Sequence, residues 1–169
     1  KFLMNGSLYQ GSKPVMWSPV EKTALAEAEV EYHDHTSHTI WVRFKPQGGA
    51  LDGASVVIWT TTPWTIPQNR AVAYNPAISY GAYRVDEVAE NATAAVSEVL
   101  VLADKLAEGV MGAAKVSGFT RLHDVPTSAF EGLTLAHPYR GLAENKEWDF
   151  DVPMLPGDHV TDDAGTGFV

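Results

Sequence analysis

Residues Ser55-Val56-Val57-Ile58-Trp59 read as apolar on both faces of an extended chain, and they run without a break into Thr60-Thr61-Thr62-Pro63-Trp64-Thr65-Ile66-Pro67. A strand without a polar face has to be covered on both sides, so this one belongs at the centre of a sheet. Its end is equally constrained. Pro63 disfavours the helical conformation at Thr62 and predicts an extended residue there, while Pro67 stiffens the exit. A chain built around this segment delivers three consecutive hydroxyls on the end of a buried strand.

The surrounding pattern supplies the neighbours. Ala26, Ala28, Val30 and Tyr32 alternate with Glu27, Glu29 and Glu31, which predicts a half-buried strand over 26–32. Asp34 to Ser37 reads as a turn and Thr39 to Phe44 as the returning strand of a hairpin. Gln47 to Gly53 is a Gly-rich loop. Further strands are predicted over 71–74, 79–85, 98–103, 119–122, 133–136 and 152–155. One helix is predicted over 104–114, with Leu106, Val110 and Met111 on one face and Gly109 and Gly112 weakening it. Residues 1–20 carry Lys1 and Lys13 and no acid, break at Pro14 and Pro19, and read as a connector; 157–169 reads as the matching exit. There is no internal repeat. The sum is a β-rich α+β fold with a barrel-like core and a few peripheral helices, a single domain over 1–169.

Composition narrows the chemistry. At 169 residues, 45% of them hydrophobic, the chain is long enough to bury a core, and five Trp argue against disorder. No stretch approaches the ~20 apolar residues of a membrane span. The absence of cysteine excludes disulfides, thiolate zinc sites and a Cys nucleophile, and makes the cytoplasm the expected location. Twelve Lys and Arg against twenty-one Asp and Glu give a formal charge of −9, which argues against a domain gripping a long nucleic-acid backbone. The sequence starts at Lys1-Phe2-Leu3 and stops at Gly165-Thr166-Gly167-Phe168-Val169, as expected of a domain excised from a longer protein.

Phosphate loops, dinucleotide fingerprints, serine-hydrolase elbows and His-Glu-x-x-His motifs are missing. His33, His35 and His38 invite a metal reading, but a solvated hairpin end explains them more simply, and no metal is expected. Asp158, His159, Asp162 and Asp163 form the densest acidic cluster; a polar loop is the plainer reading and an acid/base pair the sharper one. The Thr60–Asn69 segment is more specific. Each hydroxyl there is both donor and acceptor, and a rigid strand end can use it to position a water or an ester oxygen. Gly165-Thr166-Gly167 complements it, because flanking glycines permit a tight bend and a close approach of backbone to ligand.

These segments together resemble the editing (connective-peptide) domain of the isoleucyl-tRNA synthetase family. The likeness rests on Lys13-Pro14-Val15-Met16-Trp17-Ser18, Thr23 to Tyr32, Trp59 to Ala71, and Gly157-Asp158-His159-Val160-Thr161 through Gly165-Thr166-Gly167. Valyl and leucyl enzymes typically read Thr-Thr-Arg-Pro where this chain has Thr62 before Pro63-Trp64, so the isoleucyl branch is preferred. The resemblance implies hydrolysis of valine wrongly attached to tRNA(Ile), or of valyl-adenylate. One methylene is worth only about 1–3 kcal/mol in an apolar pocket, a limit for which the isoleucine/valine pair is itself the standard illustration, so a second sieve must remove the smaller product.

By resemblance, Thr60, Thr61 and Thr62 contact the ester and ribose end and position the water. Trp64 and Asn69 shape the pocket, and Gly165, Thr166 and Gly167 line the facing wall. The implied partners are the 3′-terminal adenosine of valylated tRNA(Ile) and the rest of the synthetase, with a monomer expected. No cofactor is expected in this domain, ATP and Mg serving the parent enzyme. In the family the Gly-Thr-Gly strand continues into a His and then an Asp that receives the substrate ammonium, and this sequence stops at Val169 before either. The expectation is a chain that keeps the fold and the Thr-rich half of the pocket but edits weakly or not at all, with a non-catalytic aminoacyl-adenosine binding fragment as the alternative.

Overall fold

The computed structural model describes residues 2–169; Lys1, part of the expected connector, lies outside the described residues. The chain divides into two compact units, Lys1–Thr36 and Ser37–Val169. In the first, β1 (Trp17–Ser18) pairs antiparallel with β2 (Thr23–Ala24), so the stretch read as a connector contributes one short strand.

The strand expected over 26–32 does not form. Glu27–Glu29 is a 3-10 turn, and residues 30–39 are irregular. The Glu29 carboxylate accepts the Ala26 N–H at 2.7 Å, a local bond that favours the turn over an extended chain. Of the face that alternation would have buried, Ala26, Ala28 and Tyr32 are exposed and Val30 is half-buried. The Ala/Glu run therefore follows its local helical preference, and the predicted hairpin with residues 39–44 is absent.

The second unit contains β3 (Ile40–Pro46), β4 (Ala54–Thr60), β5 (Val72–Tyr74), β6 (Tyr80–Val88), β7 (Val99–Ala103), α1 (Ala107–Ala113), β8 (Val116–Val125), β9 (Thr134–Ala136) and β10 (Asp151–Pro156). Eight of these form one mixed sheet in the order β5-β10-β9-β3-β4-β7-β6-β8. The segment predicted to be central is central. β4 lies between β3, antiparallel with Trp41 opposite Trp59, and β7, parallel with Val56 opposite Val101. Among the described residues no helix is long and apolar enough to cross a membrane.

Each face of the sheet has its own core. Val56, Ile58, Val101, Ala103 and Ala82 point inward with Phe44, Val72, Leu135, Val152 and Val125, so strands from one end of the sheet to the other share a single cluster around Phe130. Tyr74 and Tyr80 reach Phe130 with ring centroids 5.0 and 5.1 Å away, which brings the β5 end of the sheet close to β6. The sheet therefore curls like a barrel without a ladder closing it. Val57, Leu100, Leu102, Tyr83 and Val85 point outward beneath Ala107, Val110 and Met111 of α1. This two-sided burial is what the continuous apolar run required.

Two boundaries differ from expectation. The helix starts at Ala107 rather than Asp104. Asp104 is held outside it, its N–H bonded to the Ser79 carbonyl and its carboxylate to Arg121 and Tyr83. Leu106 accordingly packs against the inner core, whereas Val110 and Met111 fill the outer one. β8 is ten residues long rather than four, because it pairs with β6 along an edge whose middle is mostly exposed and polar, where apolar periodicity gives little signal.

Candidate functional site

Thr60 ends β4 half-buried, while Thr61 and Thr62 are exposed. The Thr62 N–H donates to Thr60 Oγ1 at 3.0 Å, and the two hydroxyl oxygens lie 3.2 Å apart. Thr62 sits at φ −126°, ψ 67°: Pro63 has kept it out of the helical well, though ψ falls short of full extension. Pro63–Gln68 then forms a 3-10 turn in which the Thr62 carbonyl accepts both the Thr65 N–H, at 3.0 Å, and the Thr65 hydroxyl, at 2.8 Å. Thr60, Thr62 and Thr65 are thus engaged with one another. The Thr61 hydroxyl has no partner among the described residues, which leaves it free for a ligand or a water. None of the three consecutive hydroxyls is hydrogen-bonded to an imidazole or carboxylate among the described residues.

The turn is fixed from beneath. Ile66 is buried in the inner core, and its carbonyl accepts a hydrogen bond from Nε2 of His137 at 2.9 Å. The Tyr139 N–H donates to Nδ1 of the same ring at 3.2 Å, which assigns the ring proton to Nε2. His137 is itself buried, its ring centroid 4.8 Å from that of Phe150, and the Arg70 guanidinium lies over the same Phe150 ring at 4.0 Å from its centroid. Sequence reasoning missed His137. The available signal is its position directly after the predicted strand 133–136, on an apolar flank rather than in a polar run. Of the other residues expected here, Trp64 is 72% exposed, and Asn69 is half-buried with its Oδ1 buried and unpartnered.

Gly165-Thr166-Gly167 approaches the same strand end. Gly165 has φ +77°, and a Cβ there would come within 3.4 Å of the Trp59 ring, one residue before Thr60. Gly167 has φ +84° and lies so close to β7 that a Cβ would stand 2.4 Å from that of Ala103. Between them Thr166 is fully buried; its carbonyl accepts the Ala103 N–H at 2.9 Å and its hydroxyl bonds the Phe168 backbone. Tyr80 donates its hydroxyl to the Gly167 carbonyl at 2.8 Å. Burial pushes that phenol up from its ordinary value, which keeps the donating proton in place. Phe168 stacks on Tyr80 and bridges to Tyr74 of β5.

The two segments therefore meet at Trp59. Beside that meeting point is a depression of about 400 Å³ lined by Trp41, Trp59, Lys105, Leu106 and Gly165 among others. The acidic cluster borders this depression through Lys105. Asp162 pairs with Lys105 at 3.1 Å, and Asp163 accepts the Thr161 hydroxyl, the first cause holding its carboxyl below the usual range. His33 is exposed and 3.4 Å from Glu31. Among the described residues, no three His, Asp or Glu side chains converge as a metal-binding group.

Comparison with known proteins gives a consistent picture. The family model of class I tRNA synthetases (I, L, M and V) matches residues 1–148. An isoleucine–tRNA ligase from Bradyrhizobium diazoefficiens is 53% identical over 172 residues, taking in 100% of this chain and 17% of that protein. One from Caulobacter vibrioides is 56% identical over 175 residues, covering 100% and 18%. The chain thus spans less than a fifth of the length of these curated relatives. Among solved structures, the crystal structure of GlLeuRS-CP1 has a TM-score of 0.56 at 17% identity, covering 78% of this chain and 52% of that one, a likeness of fold.

Proposed function

Since the chain belongs to the class I tRNA synthetases, we propose that it is the proofreading region of an isoleucyl-tRNA synthetase, hydrolysing valine from mischarged tRNA(Ile), or valyl-adenylate, by attack of water on the activated carbonyl. The observation that carries the reading is the strand end at Thr60–Thr62. A β4 buried on both faces fixes the backbone, a buried histidine fixes the turn beyond it, and the Thr61 hydroxyl stays free. The substrate is already an activated ester, so the site has to position rather than activate. Holding water and carbonyl in reacting geometry, with donors aimed at the developing oxyanion, supplies most of what such a hydrolysis needs.

In this reading Thr61 and Thr62 orient the water and the ester, with Thr60 bracing Thr62. Trp64 and Asn69 shape the aminoacyl pocket, and the buried carbonyl of the unpartnered Asn69 side chain is the polar group a ligand donor would satisfy. Gly165-Thr166-Gly167 forms the opposite wall. The partners are the terminal adenosine of the tRNA and the remainder of the synthetase; the domain works as a monomer in the cytoplasm and takes no cofactor of its own, ATP and Mg acting at the aminoacylation site elsewhere in the parent enzyme.

The test is deacylation of valyl-tRNA(Ile) by the whole synthetase carrying Thr61→Ala or Thr62→Ala. The expected result is a fall of about 100- to 1000-fold in hydrolysis, the range for losing one positioned donor, with accumulation of valylated tRNA. Hydrolysis at the wild-type rate in both variants would remove the hydroxyls from the mechanism. A second reading, a domain that binds aminoacyl-adenosine passively, is favoured by the lack of a hydrogen-bonded base at the three hydroxyls among the described residues. Titrating this chain with a non-hydrolysable valyl-adenosine analogue, beside the deacylation assay, separates binding from turnover.

A further inference from the structure

We propose that Arg121 and Asp104 form a clamp that positions the Gly165-Thr166-Gly167 wall of the site, acting through the corner at residues 103–106 against which that wall rests. The inference rests on the proofreading reading and deepens it, by naming positioning residues that lie outside the pocket.

The corner meets the bend at three points. The Ala103 N–H donates to the Thr166 carbonyl at 2.9 Å, and Gly167 lies so close that a Cβ on it would stand 2.4 Å from that of Ala103. Lys105 reaches Asp162, just upstream of the bend, at 3.1 Å. Lys105 and Leu106 also line the depression of about 400 Å³ together with Trp59 and Gly165. Where the corner stands therefore decides where the wall stands. Asp104 and Arg121 do not line the depression themselves, so any effect they have on a ligand passes through this backbone.

The corner is tied to the sheet at Asp104. Nε of Arg121 donates to its Oδ1 at 3.0 Å and Nη2 to its Oδ2 at 2.8 Å, a fork that fixes both the distance and the orientation of the carboxylate. The Tyr83 hydroxyl donates to the same Oδ1 at 2.5 Å, and the Asp104 N–H donates to the Ser79 carbonyl at 2.9 Å. Among the described residues no other Arg holds one carboxylate through two hydrogen bonds; Arg43, Arg84 and Arg140 each use one. β6 is cut away to admit the pair. A Cβ on Gly81 would stand 2.5 Å from Oδ1 of Asp104 and 3.0 Å from Nε of Arg121. Gly81 is not among the glycines with positive φ, so its backbone has no need of glycine, whereas the space for the clamp does.

The experiment measures kcat and KM for deacylation of valyl-tRNA(Ile) by the whole synthetase, beside amide exchange at Ala103 in the 169-residue chain. Arg121→Gln should lower kcat about 10- to 100-fold, because a displaced wall misaligns the ester with the attacking water. KM should stay within about threefold, since the rest of the substrate is still held. Arg121→Lys should fall between the two, a single ammonium replacing the fork. Gly81→Ala should reproduce the kcat loss, since its methyl displaces the ends of two flexible side chains and leaves the backbone room to fold. Arg84→Gln breaks the 2.7 Å pair with Asp86 on the same strand, away from the corner, and should keep kcat within about twofold. Exchange at Ala103 should speed in Arg121→Gln and Gly81→Ala and not in Arg84→Gln. Should Arg121→Gln fail to fold, Gly81→Ala and Arg121→Lys decide.

The proposal is overturned if the clamp variants keep kcat within about twofold of wild type while Thr61→Ala is impaired, if their whole loss lies in KM, or if Arg84→Gln falls as far. Wild-type deacylation in the Thr61, Thr62 and Arg121 variants alike would reject the proofreading reading instead. Exchange at Ala103 then decides the clamp by itself: faster exchange keeps it as the support of the bend, and unchanged exchange overturns it as well.

Discussion

Replacing Gly167 by Ala gives a sharp test of the packing that joins the two site segments. The residue sits at φ +84°, where a Cβ costs about 1–2 kcal/mol of backbone strain. The added carbon would also stand 2.4 Å from the Ala103 Cβ and 3.2 Å from Cε1 of Tyr80. Neither neighbour yields easily: Ala103 is a fully buried residue of β7, and Tyr80 is stacked on Phe168 with its hydroxyl bonded to Gly167 itself. Overpacking of this kind costs about 1–3 kcal/mol. Reduced freedom of the unfolded chain returns about 0.4–1 kcal/mol. The net expectation is a loss of about 1.5–4 kcal/mol.

Gly165→Ala supplies the internal reference. Its φ is +77°, but the nearest atom to a Cβ is 3.4 Å away, so it should lose only about 0.5–1.5 kcal/mol. Urea denaturation followed by far-UV circular dichroism measures both. The double variant Ala103→Gly/Gly167→Ala should recover about 1 kcal/mol or more of coupling, since one of the two clashing carbons is gone. Equal losses at the two glycines, or strictly additive effects in the double variant, would mean that the Gly167 backbone does not lie against β7 as described.

Three further outcomes follow from contacts elsewhere in the fold. Phe130→Ala should lose about 3–5 kcal/mol by denaturant titration, because the ring is fully buried and touches Tyr74, Tyr80 and Phe168. His137→Ala should cost about 0.5–1.5 kcal/mol for the lost hydrogen bond and speed amide exchange at Thr65 and Asn69, since the Ile66 carbonyl then keeps only the Asn69 N–H and the turn loses its tie to the residue beneath it; unchanged exchange there would refute the anchoring role. Hydrogen bonds from Arg121, then Tyr83, hold the Asp104 carboxyl below the usual carboxylate range. A depressed folded pKa gives stability that is present above about pH 4 and lost as pH falls through the folded value. Asp104→Asn should therefore be less stable than wild type at neutral pH, with the gap closing on acidification below about pH 4, as read from thermal melts at stepped pH.

What was legible in the sequence is what local periodicity reports. The central position of β4 follows from its lack of a polar face, and the exit at Thr62 from the proline after it. The same reasoning fails at residues 26–32, where Ala and Glu alternate but a Glu29 bond to Ala26 decides for a turn. Sheet order is not legible, because β10 pairs with β5 across some eighty residues while β3 finds β9 rather than the segment before it. In the candidate site the threonine run and the Gly-flanked bend stand out in the sequence. His137 does not, since its bond to Ile66 joins residues 71 apart and nothing near either announces it.

The arrangement carries a consequence for how the two segments respond to change. The Thr-rich turn is seated through Ile66, and the Gly-flanked bend through Phe168, yet both side chains belong to one inner core organised around Phe130. A core substitution that loosens Phe130 would therefore displace both walls, whereas loss of His137 would free only the Thr-rich turn and loss of the Tyr80 hydroxyl only the bend. Tyr80→Phe keeps the ring stacked on Phe168 and removes both the bond to the Gly167 carbonyl and the one accepted from the Asn75 N–H, so it loosens the second wall and leaves the Thr-rich turn's own bonds intact, at a cost of about 1–3 kcal/mol for the stranded carbonyl alone. If positioning is the work of this site, His137→Ala and Tyr80→Phe should each impair deacylation, and together by more than the product of the two, since a ligand held by one wall still tolerates some play in the other. A strictly multiplicative result would mean that the walls act independently, and the shared core would then serve the fold alone.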